Sequence, residues 1–461
     1  MRRSRLIPLV VSTALFMENV DSTVISTSLP EIAASLQEDV FALKLAMTSY
    51  LISLAIFIPV SGWMADRFGA KTIFRNAIIV YMCGSLGSAF AINLEMLVLT
   101  RFLQGVGGAM MVPVGRLFLL RNVPRHEIVQ ALAWLTIPAL VGPVMGPLIG
   151  GFITTHFGWR WIFCLNIPTG CLGIFLTSRY FVNIREEDVP PLDWKGFTLS
   201  GISLTMLLLG LSSSGQHLIP TSLTLGLIIA GFCGCLLYAV YALRSPAPLL
   251  DLSLFKIPSF SISIIGGTFF RIGTGASPFL LPMMLQMGFG YTPMQSGSIT
   301  FISAAGALFM KTLASRILKQ FGFRMVLSVN AVIAGVFIGL CGFFTVQTPF
   351  WLMLLILFIG GCFRSLEFTS INSIAYADIS NRRMSAATSL SSVMQQVSVS
   401  LGISIGAFVL EYSNAGILNA QSDFVTSFVF VALVSASSCC FFALLKPDAG
   451  ADLSRHHTGK A

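Results

Sequence analysis

Residues 6–30 read LIPLVVSTALFMENVDSTVISTSLP, an apolar run that is long enough to cross a bilayer as a helix. Glu18 and Asp21 lie near its middle. A carboxylate at that depth costs about 3 kcal/mol even on lenient insertion scales, and residues three apart share one face of a helix. We therefore interpret the pair as a functional site that faces a water-filled cavity or a partner charge. A polar contact between packed helices is the alternative.

The composition is that of a membrane protein built from helices. Apolar residues make up 55% of the 461 residues and charged residues 10%. The apolar runs are about 20 residues long and do not alternate as strands do. The predicted fold class is therefore all-α, a polytopic membrane protein. The net charge of +9 would suggest nucleic acid in a soluble protein, but basic loops explain it here and we expect no nucleic-acid partner.

The sequence lacks the residue patterns that catalysis or metal binding requires. The nine cysteines have no metal-ligand spacing, and there is no nucleophile–base pair and no nucleotide-binding loop. We expect no enzymatic activity, no metal, no disulfide framework and no cofactor.

We predict fourteen transmembrane helices from the apolar runs. Their approximate ranges are 6–28, 42–64, 73–92, 95–115, 128–152, 161–181, 197–213, 222–243, 259–284, 295–314, 325–345, 350–373, 386–410 and 425–445. One set of alternate loops holds almost all Lys and Arg, whereas the other holds only Lys44 and Arg160. Because basic loops stay in the cytoplasm, we expect both termini to be cytoplasmic.

Two polar stretches divide these spans into groups of six, two and six. The predicted domains are an N-terminal six-helix bundle (1–182), a linker with two inserted helices (183–258), a C-terminal six-helix bundle (259–446) and a cytoplasmic tail (447–461). The loops after spans two and ten form a weak internal repeat. They read FGAK at 68–71 and FGFR at 321–324, and each has a glycine for a tight turn.

A charged cluster lies in the loop after span two, where residues 62–71 read GWMADRFGAK. An acid and two bases around a two-helix turn can form charge-assisted bonds to a neighbouring helix end. We interpret the cluster as a cytoplasmic gate, and charge that only sets the topology is the alternative. The gate residues are Gly62, Asp66, Arg67, Gly69 and Lys71.

Span four carries Arg101 and Gln104, followed by glycines that suit close helix packing. An arginine within the bilayer should face the interior and find an acid, and the first helix offers Asp21 and Glu18. A side chain that reaches back to the membrane interface is the alternative.

Span five has a regular series of glycines and prolines. Glycines every four residues clear one helix face for close packing, and prolines bend the helix. A bent helix with a bare face suits a moving interface between two bundles. The residues of this hinge are Gly142, Pro143, Gly146, Pro147, Gly150 and Gly151.

The C-terminal half contributes further polar residues within its spans. Arg271 in span nine has no local acid. Arg364 and Glu367 in span twelve are spaced for an ion pair along the helix, which would neutralise both, and a functional role is the alternative. Gln395 in span thirteen lines a cavity or bonds between helices. With Gln104, these residues are the predicted cavity candidates.

These segments resemble the signatures of a known family. Residues 62–71, 101–108 and 142–151 resemble three motifs of the major facilitator superfamily, the third being the mark of its proton-driven antiporters. Residues 21–30 and 159–168 resemble motifs of its fourteen-helix drug:proton antiporters, the EmrB/QacA-type branch. The resemblance extends over essentially the whole chain.

The resemblance implies two six-helix bundles and two central helices, rocking about a central cavity in a bacterial inner membrane. It implies export of small lipophilic or cationic compounds, with protons as the coupling ion. It assigns Asp21 and Arg101 to proton coupling, residues 62–71 to the gate and residues 142–151 to the antiporter hinge. Glu18 stands where a neutral residue is usual and adds a second titrating group.

Two other functions are compatible with parts of the pattern. A proton symporter or facilitator for one metabolite is disfavoured by the glycine–proline register of span five. A transporter-like sensor that moves nothing is disfavoured by the short tail at 446–461. The expected partners are a small-molecule substrate and membrane lipid, and the expected state is a monomer. A periplasmic adaptor and an outer-membrane channel stay open as partners.

Overall fold

The computed structural model shows a chain that is helical through most of its described length, and no β-strand occurs in that part. The predicted all-α fold class is therefore confirmed. The described residues are 3–40, 42–122, 142, 145–146, 148–183, 191–213, 220–245, 248–380, 383–413 and 420–450.

The chain divides into two compact units, and the first comprises Met1–Ser213, Leu218–Leu249 and Thr292–Gly297. Its helices are α1 (Arg3–Leu36), α2 (Lys44–Phe68), α3 (Ala70–Ala89), α4 (Leu94–Asn122), α5 (Leu148–Phe157), α6 (Arg160–Cys164), α7 (Asn166–Tyr180), α8 (Trp194–Ser213) and α9 (Thr221–Arg244). Helix α4 packs against α2 and α3, and α7 packs against α1 and α3. These contacts place α1, α3, α4 and α7 around a shared interior.

The second unit comprises Ser214–His217, Leu250–Tyr291 and Ser298–Ala461. Its elements are a short 3₁₀ helix (Leu252–Lys256), α10 (Pro258–Met283), one π-helical turn (Met284–Gly288), α11 (Pro293–Gly342), α12 (Phe350–Ile374), α13 (Met384–Ser413) and α14 (Ala420–Phe442). The first residues of α11, up to Gly297, belong to the first unit. Its apolar core includes Phe270 of α10, Leu327 of α11, Ile371 of α12 and Phe442 of α14, all fully buried. Helix α10 packs against α12, α13 and α14.

Two glycines set the sharp turns in the loops that the sequence repeat pairs. Gly69, between α2 and α3, has a φ of 92°, and Gly322, with a φ of 71°, divides α11 into two helical segments. Such positive φ values favour glycine. A Cβ at Gly69 would also lie 2.2 Å from Oδ1 of Asn183. The predicted glycine turns are therefore confirmed in both loops.

Ten helical ranges in the described residues are long and apolar enough to cross a membrane, judged by length and composition. They are Leu45–Phe68, Leu94–Gly115, Arg160–Tyr180, Trp194–Leu211, Ser222–Arg244, Pro293–Ala314, Arg316–Gly342, Phe350–Ile374, Ser389–Ser413 and Asp423–Phe442. Most of the predicted fifth span, 128–152, lies outside the described residues. The chain is a membrane protein with several spanning helices, and the total of fourteen stays a prediction.

Small residues bring α8 and α9 into close contact. A Cβ at Gly231 would lie 2.3 Å from the backbone nitrogen of Leu207, and a Cβ at Gly234 would lie 2.3 Å from Oγ of Ser203. Helix α8 also packs against α2, and both helices belong to the first unit. That residues 183–258 form a separate insert stays a prediction.

Candidate functional site

Asp21 of α1 is buried and accepts a hydrogen bond on each carboxylate oxygen. Nη1 of Arg101 lies 2.5 Å from Oδ2, and Nδ2 of Asn166 donates to Oδ1 across 2.7 Å. The two donors come from α4 and from the first turn of α7. A buried carboxylate of this kind is tolerated because both its charge and its lone pairs have partners.

Arg101 is 1% exposed, and protein side chains surround its guanidinium group. Besides Asp21, Nη1 donates to Oε1 of Gln104 across 2.6 Å. The guanidinium carbon lies 4.6 Å from the centre of the Tyr50 ring, a cation–π geometry. Asp21 supplies the negative charge in this cluster, and Gln104 and Tyr50 are neutral.

A relay of hydrogen bonds continues from Asp21 into α3. Nδ2 of Asn166 also donates to Oγ of Ser85 across 2.8 Å, and Ser85 donates to the carbonyl of Phe163 across 2.8 Å. Asn166 lies within the motif at 159–168 but is not among the predicted site residues, and neither is Ser85. An asparagine inside an apolar helix is the signal that could have identified Asn166, because a buried amide needs a partner.

Glycines let the helices around this cluster come close enough for the contacts to form. A Cβ at Gly105 would lie 2.6 Å from the carbonyl oxygen of Tyr50 on α2. A Cβ at Gly107 would lie 2.6 Å from the carbonyl oxygen of Ala77 on α3. The predicted role of these glycines in close packing is confirmed. One turn before them, Arg101 reaches α1.

Glu18 has a different neighbour from Asp21. Oη of Tyr50 donates to Oε1 of Glu18 across 3.4 Å. Tyr50 therefore lies between Arg101 and Glu18, since its ring faces Arg101 and its hydroxyl faces Glu18. That Glu18 acts as a second titrating group stays a prediction.

The predicted gate segment contacts the end of α7. Nζ of Lys71 donates to the carbonyl of Ser178 across 2.8 Å, near the last residue of that helix, Tyr180. This is the bond to a neighbouring helix end that the sequence predicts. Arg67 is exposed, and a Cβ at Gly62 would have no atom within 4 Å. Asp66 is half-buried beside them.

The glycine series of span five faces α1. A Cβ at Gly142 would lie 2.9 Å from Cβ of Asn19, a Cβ at Gly146 would overlap Thr23, and a Cβ at Gly150 would lie 2.8 Å from the carbonyl oxygen of Val24. These contacts continue along α1 at regular intervals. Of the remaining hinge residues, Gly151 faces Pro293. Pro143 and Pro147 lie outside the described residues.

The interpretation of this face as an interface between bundles therefore needs correction for glycines 142, 146 and 150. Their face packs on α1 within the first unit. The physical reason is that bare helix faces suit any close helix contact, moving or fixed. The role of an antiporter hinge stays a prediction.

The predicted ion pair between Arg364 and Glu367 is absent from the described part of the second unit. Nη2 of Arg364 donates to Oγ of Ser303 across 3.2 Å, whereas Oε2 of Glu367 accepts from Nδ2 of Asn330 across 2.7 Å. Ser303 and Asn330 lie in different segments of α11, on either side of Gly322. The prediction was wrong because the two side chains face different neighbours.

Arg271 and Gln395 complete the predicted cavity residues. Arg271 is fully buried, and its Nη2 donates to Oδ1 of Asn372 across 3.0 Å. Its Nε and Nη1 have no hydrogen-bond partner among the described residues. Gln395 lies on α13 and is half-buried. The structure places Gln104 with Asp21, in the first unit, and the other four cavity candidates in the second unit.

The model of the Major Facilitator Superfamily matches residues 11–279 and 263–460, which together cover most of the chain. The chain belongs to the major facilitator superfamily. As a member of this family it is a transport protein rather than an enzyme, and its substrates are small molecules. The family resemblance seen in the sequence is confirmed, while the EmrB/QacA-type branch stays a prediction.

Curated relatives within the superfamily match over nearly their whole length. A protein named as transport protein HsrA from Haemophilus influenzae is 35% identical over 402 residues, which is 87% of this chain and 86% of that protein. A protein named as multidrug resistance protein MdtD from Yersinia enterocolitica is 35% identical over 452 residues, 96% of this chain and 95% of that protein.

Solved transporter structures share the fold at low sequence identity. A D-xylose–proton symporter superposes with a TM-score of 0.67 at 14% identity, covering 96% of this chain and 98% of its own. The POT family transporter PepTSo superposes with a TM-score of 0.68 at 14% identity, covering 98% of this chain and 99% of its own. At such identity the likeness concerns the fold alone.

Proposed function

We propose that this chain is a proton-coupled antiporter that exports small lipophilic or cationic compounds across a bacterial inner membrane by alternating access. Relatives of 34–35% identity are named for multidrug resistance, which supports efflux. The observation that carries the coupling is the buried pair of Asp21 and Arg101, held by Asn166. Protons are the coupling ion, and no cofactor takes part.

A proton on Asp21 would change the energy of this cluster by a large amount. Protonation removes the negative charge beside Arg101 and leaves neutral partners around a buried guanidinium. Leaving one member of a buried ion pair uncompensated costs about 3–5 kcal/mol. About 5.5 kcal/mol is enough to turn a two-state equilibrium from 1:99 to 99:1. The free-energy change on protonation of Asp21 is therefore most of what a conformational switch needs.

The proposed cycle uses this energy in one direction. In the outward-open state Asp21 takes a proton, and loss of its charge releases Arg101 and any bound cation. The chain then reopens inward, Asp21 loses the proton to the cytoplasm, and new cargo binds. Glu18 contributes a second titrating carboxyl one turn away on α1. Alternating access of this kind is the general mechanism of such transporters.

The finer architecture belongs to the same proposal. It has fourteen spans in a six-two-six order, both termini in the cytoplasm, and a monomer as the working unit. Residues 62–71 act as the cytoplasmic gate, which the contact of Lys71 with the end of α7 supports. The glycine series of span five, which packs on α1, acts as the antiporter hinge.

Proteoliposomes with an imposed pH gradient test this function. The purified chain is reconstituted, and ethidium, a permanent cation, is added with a pH-sensitive dye inside the vesicles. Antiport moves ethidium into the more acidic compartment, against the direction of proton flow, and dissipates the gradient. Symport would move it in the same direction as the protons, and that sign would contradict the proposal.

The variant Asp21→Asn should abolish this coupled movement, because Asn cannot exchange a proton. Asp39→Asn is the matched control, since Asp39 is exposed in the loop after α1, and it should transport as the wild type does. Coupled efflux that survives unchanged in Asp21→Asn would remove Asp21 from the mechanism.

A further inference from the structure

The second unit contains a cavity of about 40 Å³ whose wall has one charged residue, Arg364 of α12. Ser277 of α10, Ser303 of α11 and Cys341 of α11 are the other polar residues of its wall, and the remainder is apolar. One water needs roughly 10–15 Å³ of such volume. The cavity therefore has room for a polar group larger than a single water, such as a carboxylate.

Among the residues that the structure describes, Arg364 has no acidic partner. Its described hydrogen-bond partner is Oγ of Ser303, which is neutral. Glu367 lies one turn further along α12, at a spacing that would allow an ion pair, but it accepts from Asn330 instead. Removing a cation from water without a counter-charge is costly. An anion in the cavity would supply the missing charge.

Two further cations of this unit, Arg271 and Lys311, follow the same pattern. Fully buried Arg271 donates to Asn372, and half-buried Lys311 donates to Oγ1 of Thr369 across 2.7 Å. Both acceptors are neutral side chains of α12. In the first unit, by contrast, Arg101 has Asp21 as a direct counter-charge. Against Arg364 and the two further cations, α12 carries one fully buried acid, Glu367. The balance of described charges around α12 is therefore positive and suits a negatively charged ligand.

We propose that the cavity beside Arg364 binds the carboxylate of an amphiphilic organic acid. The planar guanidinium fork matches a carboxylate in a two-bond geometry, with Ser277 and Ser303 as additional donors. The apolar wall, including Phe337 and Leu357, accepts the first carbons beyond the carboxylate. This inference rests on the proposed export function, because it adds lipophilic acids to the exported compounds.

Equilibrium binding to the purified full-length chain tests the proposal without any pH gradient. The probes in isothermal titration are sodium octanoate, the uncharged octanamide and sodium chloride. We expect octanoate to bind and octanamide to bind at least tenfold more weakly. Charge-assisted hydrogen bonds contribute about 1.5–3 kcal/mol, so Arg364→Gln should raise the Kd for octanoate at least tenfold. Arg364→Lys keeps a point charge without the fork and should raise it about threefold.

Arg316→Gln is the matched control, because Arg316 is an exposed arginine on α11, and it should leave the Kd unchanged. Equal binding of octanoate by the wild type and Arg364→Gln would overturn the proposal. So would a wild type that binds no octanoate, or one that binds chloride in its place. If Arg364→Gln fails to fold, an unchanged Kd in Arg364→Lys overturns it. Since no gradient is used, failure here leaves proton-coupled export untouched, and failure of Asp21→Asn to abolish export leaves this site untouched.

Discussion

Asn166 donates to Oδ1 of Asp21 across 2.7 Å, so the carboxylate that pairs with Arg101 is held from a second side. The first turn of α7 thereby fixes the orientation of a side chain on α1. A carboxylate with a single partner could rotate away from Arg101, whereas one with both oxygens occupied cannot without losing a bond.

Removing the amide of Asn166 should destabilise the cluster. A hydrogen bond to a charged group contributes about 1.5–3 kcal/mol, so Asn166→Ala should lower the free energy of unfolding in mixed micelles by about that amount. Ser85→Ala removes neutral hydrogen bonds only and should cost about 1 kcal/mol. Equal effects of the two substitutions would show that Asn166 does not act through the charge of Asp21.

Removing the charge of Arg101 should be more harmful than removing both charges together. Arg101→Met leaves Asp21 buried without its cation and should cost about 3–5 kcal/mol of unfolding free energy. The double variant Asp21→Asn with Arg101→Met should recover most of that loss, while coupled export stays absent. A double variant as unstable as the sum of the single ones would show that the two charges do not interact.

A methyl group at Gly146 should separate α1 from the glycine series. The added Cβ would overlap Thr23, so Gly146→Ala should reduce export and lower the thermal midpoint in detergent. Gly226→Ala on α9 is the matched control, because a Cβ there meets no atom within 4 Å. Combining Gly146→Ala with Thr23→Ala should restore part of the loss. A fully tolerated Gly146→Ala would contradict the close contact.

Asp251 and Arg383 form an ion pair outside the membrane spans, with 2.7 Å between Oδ2 and Nη2. Partial burial opposes ionisation of Asp251, but hydrogen bonds from Ser253 and Arg383 outweigh it, and the pKa of Asp251 lies below its usual value. The side chains are 30% and 37% exposed, so the pair contributes only about 0.5–1 kcal/mol.

Because the folded-state pKa of Asp251 is depressed, this contribution is present above the unfolded pKa of about 4 and is lost as pH falls through the folded value. The wild type should therefore exceed Asp251→Asn in unfolding free energy at pH 5–7, and the difference should vanish in stronger acid. Exposed Asp448→Asn serves as the control. A difference that grows toward low pH would have the wrong sign.

Composition and spacing alone determined several features of this protein. The long apolar runs require helices, since a bilayer offers the backbone no hydrogen-bond partners. Gly69 and Gly322 could be assigned to turns because a glycine between two apolar runs permits a positive φ. Arg101 could be matched with an acid of the first helix because a buried guanidinium needs a counter-charge. Each of these follows from a cost that any fold must avoid.

The tertiary structure decided which partners actually meet. Spacing allowed Arg364 and Glu367 to pair, but each side chain hydrogen-bonds to a different residue of α11. Asn166 reaches Asp21 only because α7 packs beside α1. The glycine series of span five could have faced any helix, and it faces α1. Local sequence indicates that a buried polar side chain or a glycine-lined helix face needs a partner. The packing of helices that are distant in the chain decides which residue that partner is.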